Sequence, residues 1–370
     1  MIKIAPLTRL YEDTKSTLAG YYQDVFHQDE HVNGTITGQC ADAVSEHTGR
    51  THTVMTTSGT DAITAMLLSV GVGKDDEVIC INYSNPASVM PIKLLGATPV
   101  FVDINRYGSM DLTDLPITAQ TKAMIVTGLY GDSVDWDMIA DVEMPVLNDS
   151  AQCLTTTYKD ALVTAQGDVT ALSFAFNKNA PVYGTYGSIS TDNQDLYHKL
   201  KVITSNGYNN QDAVQISHIG IMGKASEDKS AQCLASLESL PVWQSARRDI
   251  AEYYCEQFDR LGVAVRPSPG YSKTNHHKFC ILVNNKKQFA EAMKEQGIEC
   301  NLHYTYNFSK YTVLNPDQNT YPWTDFYVDH AVSIPCHPWL EHNEIQRVVD
   351  VVSTINQQMG TPAGIDKLYD

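Results

Sequence analysis

From Thr53 onward the chain alternates short apolar runs with stretches of helical spacing, and this alternation restricts the fold more than any other feature. Strands are expected at residues 53–57, 77–82, 99–104, 123–129, 145–149 and 169–174. Helical spacing falls between them, through Ala62, Ile63, Met66, Leu67 and Val70, then over 87–95 and 136–142. Strands separated by helices cannot pair as tight hairpins. The chain crosses over and returns parallel, which predicts an α/β fold with a mainly parallel sheet covered by helices on both faces. Ligands of such sheets collect at the carboxyl ends of the strands.

A different pattern begins beyond Pro241. An amphipathic helix is expected over 243–261, with Ile250, Tyr254, Phe258 and Leu261 near helical spacing. Pro267, Pro269 and Gly270 then break the chain. Short strands (279–283, 300–304) and helices (287–296, 343–357) follow. A chain of 370 residues is long enough for a large domain and a smaller one. The expected division is a large ligand-binding domain at 1–240 and a small α/β domain at 241–370, led by the long helix. Residues 1–50 are mixed and polar, with a helix expected only over 39–48.

The net charge of −17 argues against partners with a phosphate backbone or an anionic lipid surface, since the overall field repels them. Small anionic substrates must be held by local donors. The segment Met1–Pro6 lacks a basic stretch followed by an apolar one, and no run approaches transmembrane length. The 8 cysteines are scattered without CxxC pairs or His/Cys clusters, so neither a disulfide framework nor a metal site is expected. Together these features predict a cytoplasmic location.

Three polar signatures fall at expected strand ends. Ser58-Gly59-Thr60 precedes a helix, where free amides and hydroxyls form a phosphate-sized anion site. Asp149 ends the run Pro-Val-Leu-Asn-Asp, where an acid can keep a pyridine nitrogen protonated. Lys178 follows strand 169–174 on a segment rich in turn formers, and partial desolvation there favours the neutral, nucleophilic amine. Singly, each has an ordinary explanation as a helix cap, a surface acid or a solvated lysine. In this order they form the set that a pyridoxal-phosphate site requires.

The sequence resembles the DegT/DnrJ/StrS family of sugar-nucleotide aminotransferases, of the aspartate-aminotransferase fold type (fold type I). Thr57-Ser-Gly-Thr-Asp-Ala is similar to the family's phosphate loop, and Gly73-Lys-Asp-Asp-Glu-Val-Ile to its GDEVI stretch. Leu95-Gly-Ala-Thr-Pro-Val-Phe-Val-Asp, Asn148-Asp-Ser-Ala-Gln and Ser173-Phe-x-x-x-Lys178 with Gly184-Thr-Tyr-Gly187 continue the likeness. His303-Tyr304 and Ser333-Ile-Pro-Cys-His-Pro extend it into the C-terminal part. The resemblance implies a three-layer large domain, pyridoxal 5'-phosphate as coenzyme, and a homodimer whose sites are completed across the interface. It implies Lys178 as the Schiff-base lysine and proton shuttle, and Asp149 at the pyridine nitrogen. Gln152 would meet the ring's phenolic oxygen, while Ser58, Gly59, Thr60 and Ser173 would hold the phosphate.

The sequence also departs from that pattern. Asn85 stands where an aromatic residue usually stacks on the coenzyme ring, so that either Tyr83, two residues away, takes over the stacking or the ring rests on the Asn85 amide. Gly220-Ile-Met222-Gly-Lys224 replaces a glycine-asparagine-arginine segment that reaches the neighbouring site. Lys224 keeps the charge of the arginine without its fork. Asn148 replaces a glutamate, and Tyr186 a glycine. Tyr186, Lys224 and His303 are expected on the substrate side, and His337 as a structural histidine. The implied reaction moves an amino group from an amino acid, usually glutamate, to a nucleotide-linked keto-sugar such as a 4-keto-6-deoxyhexose, in amino-sugar or surface-glycan synthesis. A sugar dehydratase and a coenzyme-binding, catalytically silent regulatory paralogue are the alternatives. A lysine at 178, where dehydratases carry histidine, favours transamination.

Overall fold

The computed structural model describes residues 1–29, 31–209 and 215–369. Two helices, α1 (Leu7–His27) and α2 (Thr35–Thr48), precede the first strand. Then come β1 (His52–Thr56), α3 (Gly59–Ser69), β2 (Glu77–Ile81), α4 (Met90–Leu94), β3 (Thr98–Val102), β4 (Thr121–Thr127) and β5 (Val146–Asp149). The short strands β6 (Thr157–Tyr158) and β7 (Ala161–Leu162) form an outlying ribbon. The chain then returns to the main sheet as β8 (Val169–Ser173) and β9 (Gly187–Thr191).

The main sheet has the order β1-β9-β8-β5-β4-β2-β3. β8, β5, β4, β2 and β3 pair in parallel, and β9 alone runs the other way, antiparallel to both β1 and β8. Buried on both faces, the central strands read as continuous apolar runs. Alternation along β2 sorts them: Val78 and Cys80 join the cluster under α3 and α4, while Ile79 and Ile81 join the opposite cluster with Tyr130, Trp136 and Tyr327.

After α5 (Gln194–Ile203) comes α6 (Glu227–Leu261), a helix of 35 residues. Its first half packs Cys233, Leu234, Leu237 and Leu240 with α1 and α2. Its second half packs Ile250, Ala251, Tyr254 and Phe258 against the C-terminal unit. That unit holds the short β10 (Ser272–Lys273), which joins the outlying ribbon, the antiparallel pair β11 (Phe279–Leu282) and β12 (Ala331–Ile334), and helices α7 (Lys286–Glu295), α8 (Pro322–His330) and α9 (His342–Met359). Among the described residues no helix is long and apolar enough to cross a membrane.

Several local expectations are corrected. The helix expected at 243 begins at Glu227 and carries Pro241 inside it. The helix expected over 87–95 is split into a 3-10 turn at Pro86–Ser88, capped by Asn85, and α4, with Pro91 near its start. Over 136–142 only the 3-10 turn Trp136–Ile139 forms. The strand expected at 300–304 reduces to a single bridge between Asn301 and Ser333, and β12 takes the place beside β11.

Candidate active site

Because β1, β2, β5 and β8 point the same way, the residues following them meet at one edge of the sheet. Ser58 caps α3: its Oγ accepts from the Asp61 amide at 3.0 Å and donates to the Asp61 carboxylate at 2.8 Å. The amides of Gly59 and Thr60, at the first helical positions, have no acceptor within the helix. Gly59 needs to be glycine, since a Cβ there would lie 2.9 Å from the Cβ of Ser173. Its absence lets the Ser173 hydroxyl close on the helix N-terminus. Gly187, the first residue of β9, pairs with both Thr56 and Ser173, and a Cβ on it would lie 2.5 Å from the Ser58 carbonyl carbon. The result is a cup of two free amides and a hydroxyl at the positive end of a helix, the donor set that a phosphate requires.

Asp149, the last residue of β5, is 3% exposed. Its Oδ2 accepts from Ser88 Oγ at 2.6 Å and its Oδ1 from the Ala151 amide at 3.2 Å. Burial pushes its pKa above the ordinary aspartate value; these two hydrogen bonds and the charge of Lys178 act against the rise. Lys178 is half-buried on the turn after β8, its amide donating to the Ala175 carbonyl at 2.9 Å. Desolvation lowers its pKa and Asp149 opposes that. The two expected catalytic residues therefore sense each other's charge across adjacent strand ends.

Gln152 is held at both ends. Its Oε1 accepts from the Tyr130 amide at 2.9 Å and its Nε2 donates to the Tyr304 hydroxyl at 2.8 Å, leaving one Nε2 hydrogen for a ligand. Tyr83 is not on the site's surface. It is fully buried, packed edge-on to Tyr304 and Tyr327, its hydroxyl bonded to Tyr130 and to the His303 carbonyl. Such a ring presents no free face for stacking. Asn85 is exposed, and its Oδ1 accepts from the Ala87 amide in the turn that carries Ser88.

Of the residues expected on the substrate side, only His303 is brought near Lys178. Its Nδ1 meets Ser333 Oγ at 3.0 Å. Burial, with Lys278 and Lys178 adding repulsion, lowers its pKa to about 3, so the ring is neutral. Tyr186 lies in the core between α2 and α6, its hydroxyl on Ser230. A side chain replacing glycine there found space inward rather than toward a ligand. Lys224 and exposed Met222 lie on the segment between α5 and α6, outside the walls of the cavity beside Lys178. His337 is half satisfied: Nε2 bonds the Lys3 carbonyl and Nδ1 has no partner.

Sequence reasoning missed Ser88, Tyr130 and two buried cations, Arg247 and Lys278. Ser88 lay inside an expected helix. Lys278 was detectable as a lone cation opening the apolar run Phe279–Leu282.

Residues 12–353 match the DegT/DnrJ/EryC1/StrS aminotransferase family. The chain belongs to this family. It is 25% identical over 353 residues to the UDP-2-acetamido-2-deoxy-3-oxo-D-glucuronate aminotransferase of Pseudomonas aeruginosa, covering 94% of this chain and 98% of that one. It is 28% identical to the dTDP-3-amino-3,6-dideoxy-alpha-D-galactopyranose transaminase of Aneurinibacillus thermoaerophilus, covering 84% of this chain and 87% of that one. The fold matches a family aminotransferase from Brucella abortus at TM-score 0.89 and 21% identity, over 96% of this chain and 99% of that one. It also matches the PLP form of the putative sugar aminotransferase Spr1654 from Streptococcus pneumoniae at TM-score 0.85 and 22% identity, over 95% and 97%.

As a DegT-family aminotransferase, the enzyme uses pyridoxal 5'-phosphate. The residues present fit that group. The cup at Gly59, Thr60 and Ser173 suits its phosphate, and buried Asp149, with no cation bonded to it among the described residues, suits a protonated ring nitrogen. Lys178, with its lowered pKa, suits the carbonyl.

Proposed function

We propose that this enzyme transfers the amino group of an amino acid, glutamate first among them, to a keto group on a nucleotide-linked hexose in the making of an amino sugar. The observation that carries the reading is Lys178 and Asp149 on adjacent strand ends beside the phosphate cup. When bound, the coenzyme supplies the carbonyl that takes up the amine and the ring that draws electrons from the neighbouring carbon. The chain supplies the rest. Gly59, Thr60 and Ser173 anchor the phosphate, Asp149 stabilises a positive ring nitrogen, and Gln152 orients the ring through its free hydrogen. The Lys178 amine takes a proton from one carbon and returns it to another.

Support for the sugar comes from the relatives' names, which are transaminases of UDP- and dTDP-linked sugars. The 4-keto-6-deoxyhexose expected from the sequence is one candidate acceptor. A 3-keto hexose, as the Pseudomonas aeruginosa enzyme's name prints, is the other. Large apolar side chains left exposed at Phe176, Ile219 and Met222 support a homodimer.

The test is amine transfer from glutamate to a panel of 3-keto and 4-keto sugar nucleotides. Transfer to one of them supports the reading. Coenzyme binding without conversion by any amino acid supports the silent paralogue, and loss of a sugar hydroxyl without amine transfer supports the dehydratase.

A further inference from the structure

Lys178 also borders a cavity of about 30 Å³, walled by the N-terminal segment Ile4–Leu7, the Lys178 turn, α6 and the C-terminal sheet. Its polar wall is cationic. Arg247, Lys278 and His337 are 6%, 8% and 3% exposed. Arg247 Nη1 donates to the Cys336 carbonyl, but its Nε has no partner. Lys278 Nζ has one long bond, 3.4 Å, to the Asn177 carbonyl. Among the described residues no carboxylate pairs with either of them. His337 donates through Nε2 to the Lys3 carbonyl at 3.1 Å, which leaves a bare lone pair on Nδ1.

Two buried cations without a counter-charge are costly, and the absence of one is telling in a chain with 43 acidic residues to supply it. A ligand anion removes that cost. The size narrows the anion: one water needs about 10–15 Å³ by the same measure, so the space takes two water-sized groups. That suits the two oxygens of a carboxylate. Lys278 is further poised by burial and by the charges of Lys178 and Arg247, which lower its pKa to about 7.

We propose that this cavity holds the α-carboxylate of the amino-acid donor, with Arg247 and Lys278 as its donors, so that the donor's amine-bearing carbon lies against Lys178. The assignment of the ligand rests on the transaminase reading above. The carboxylate is one bond from the carbon whose proton Lys178 moves, and Lys178 itself forms part of the wall.

The test is calorimetric titration of the coenzyme-loaded enzyme with glutarate, using neutral glutaramide as control. Glutarate should bind and glutaramide should not. Lys278→Met and Arg247→Met should each weaken glutarate by about tenfold or more, the scale of one charge-assisted hydrogen bond. Thermal midpoints show whether each variant is folded, and if Arg247→Met is not, Lys278→Met decides. Absence of glutarate binding to the parent chain, or equal affinity in Lys278→Met, overturns the proposal. With coenzyme bound, Lys278→Met should raise the KM for the amino acid and leave the KM for the keto-sugar unchanged. If no amino acid reacts but glutarate binding still depends on Lys278, the transaminase reading fails and the anion pocket stands. If amino acids react with a KM indifferent to Lys278→Met, the pocket fails and the transaminase reading stands.

Discussion

Ser88 Oγ lies 2.6 Å from Asp149 Oδ2 and donates to it, tying the turn after β2 to the end of β5 two strands away. The carboxylate meets no other side-chain donor among the described residues, so Ser88 is its main restraint against rotation and against protonation in a buried site. Removing the hydroxyl takes away a hydrogen bond to a charged group, worth about 1.5–3 kcal/mol. Ser88→Ala should therefore weaken coenzyme binding at least tenfold, measured by equilibrium dialysis. Affinity equal to that of the parent would show that Asp149 needs no such support.

Lys178 and Asp149 should separate by signature. Lys178→Ala should abolish the visible absorbance of bound coenzyme and the borohydride-trapped adduct. Asp149→Asn keeps the shape and loses the charge, so its absorbance should survive while kcat falls by about 10²-fold or more, the scale of removing one preorganised electrostatic group. Trapping on another lysine, or full activity in Asp149→Asn, contradicts the assigned roles.

Gly187→Ala drives a methyl to 2.5 Å from the Ser58 backbone, and no flexible side chain is there to yield. Overpacking of this kind costs about 1–3 kcal/mol. The strand must shift away from the phosphate cup, so both urea stability and coenzyme affinity should drop. Gly20→Ala, inside α1 with open space around its Cβ, is the control and should leave coenzyme affinity unchanged and stability no lower. Matching stabilities for the two variants would refute the close approach.

Lys278 contributes a pH dependence to stability. Its folded pKa is about 7 against 10.5 for the free side chain, under burial and the charges of Lys178 and Arg247, with Cys336 opposing; His277 and His303 also face it. Between those values the unfolded chain holds the extra proton, so stability rises with pH, by up to about 1.4 kcal/mol per unit. The penalty is fully present below pH 7 and relieved as the pH approaches 10.5. Urea melts at pH 7 and 9.5 should show the parent gaining on Lys278→Met. Parallel curves would mean that Lys278 is not desolvated.

The central strands were legible because burial on both faces leaves a plain apolar run, as in β4 and β5. Asp149 and Lys178 were legible because parallel sheets gather function at strand ends. The antiparallel β9 was not, since a small polar run such as Gly-Ser-Ile-Ser-Thr enters a sheet only when its neighbours Thr53 and Thr170 are already in place. Tyr83 was misplaced for a similar reason. An aromatic residue after a strand reads equally as a stacking platform or as core, and the partners that bury it, Tyr130 and Tyr304, lie far along the chain. Glu227 shows the same limit, as its carboxylate accepts from the amides of Gly34, Ile36 and Thr37 at the start of α2.

The unbroken course of α6 has a practical consequence for anyone wishing to dissect the enzyme. Cutting the chain at 240 would sever about four turns of helix on one side from about six on the other. The N-terminal fragment would keep Leu234 and Leu237 on a frayed stump, and the C-terminal fragment would start with Pro241 and a ragged end. Split-protein reporters, domain swaps with relatives and limited proteolysis should all place their breakpoints elsewhere, and the helix should survive protease treatment as a single intact rod.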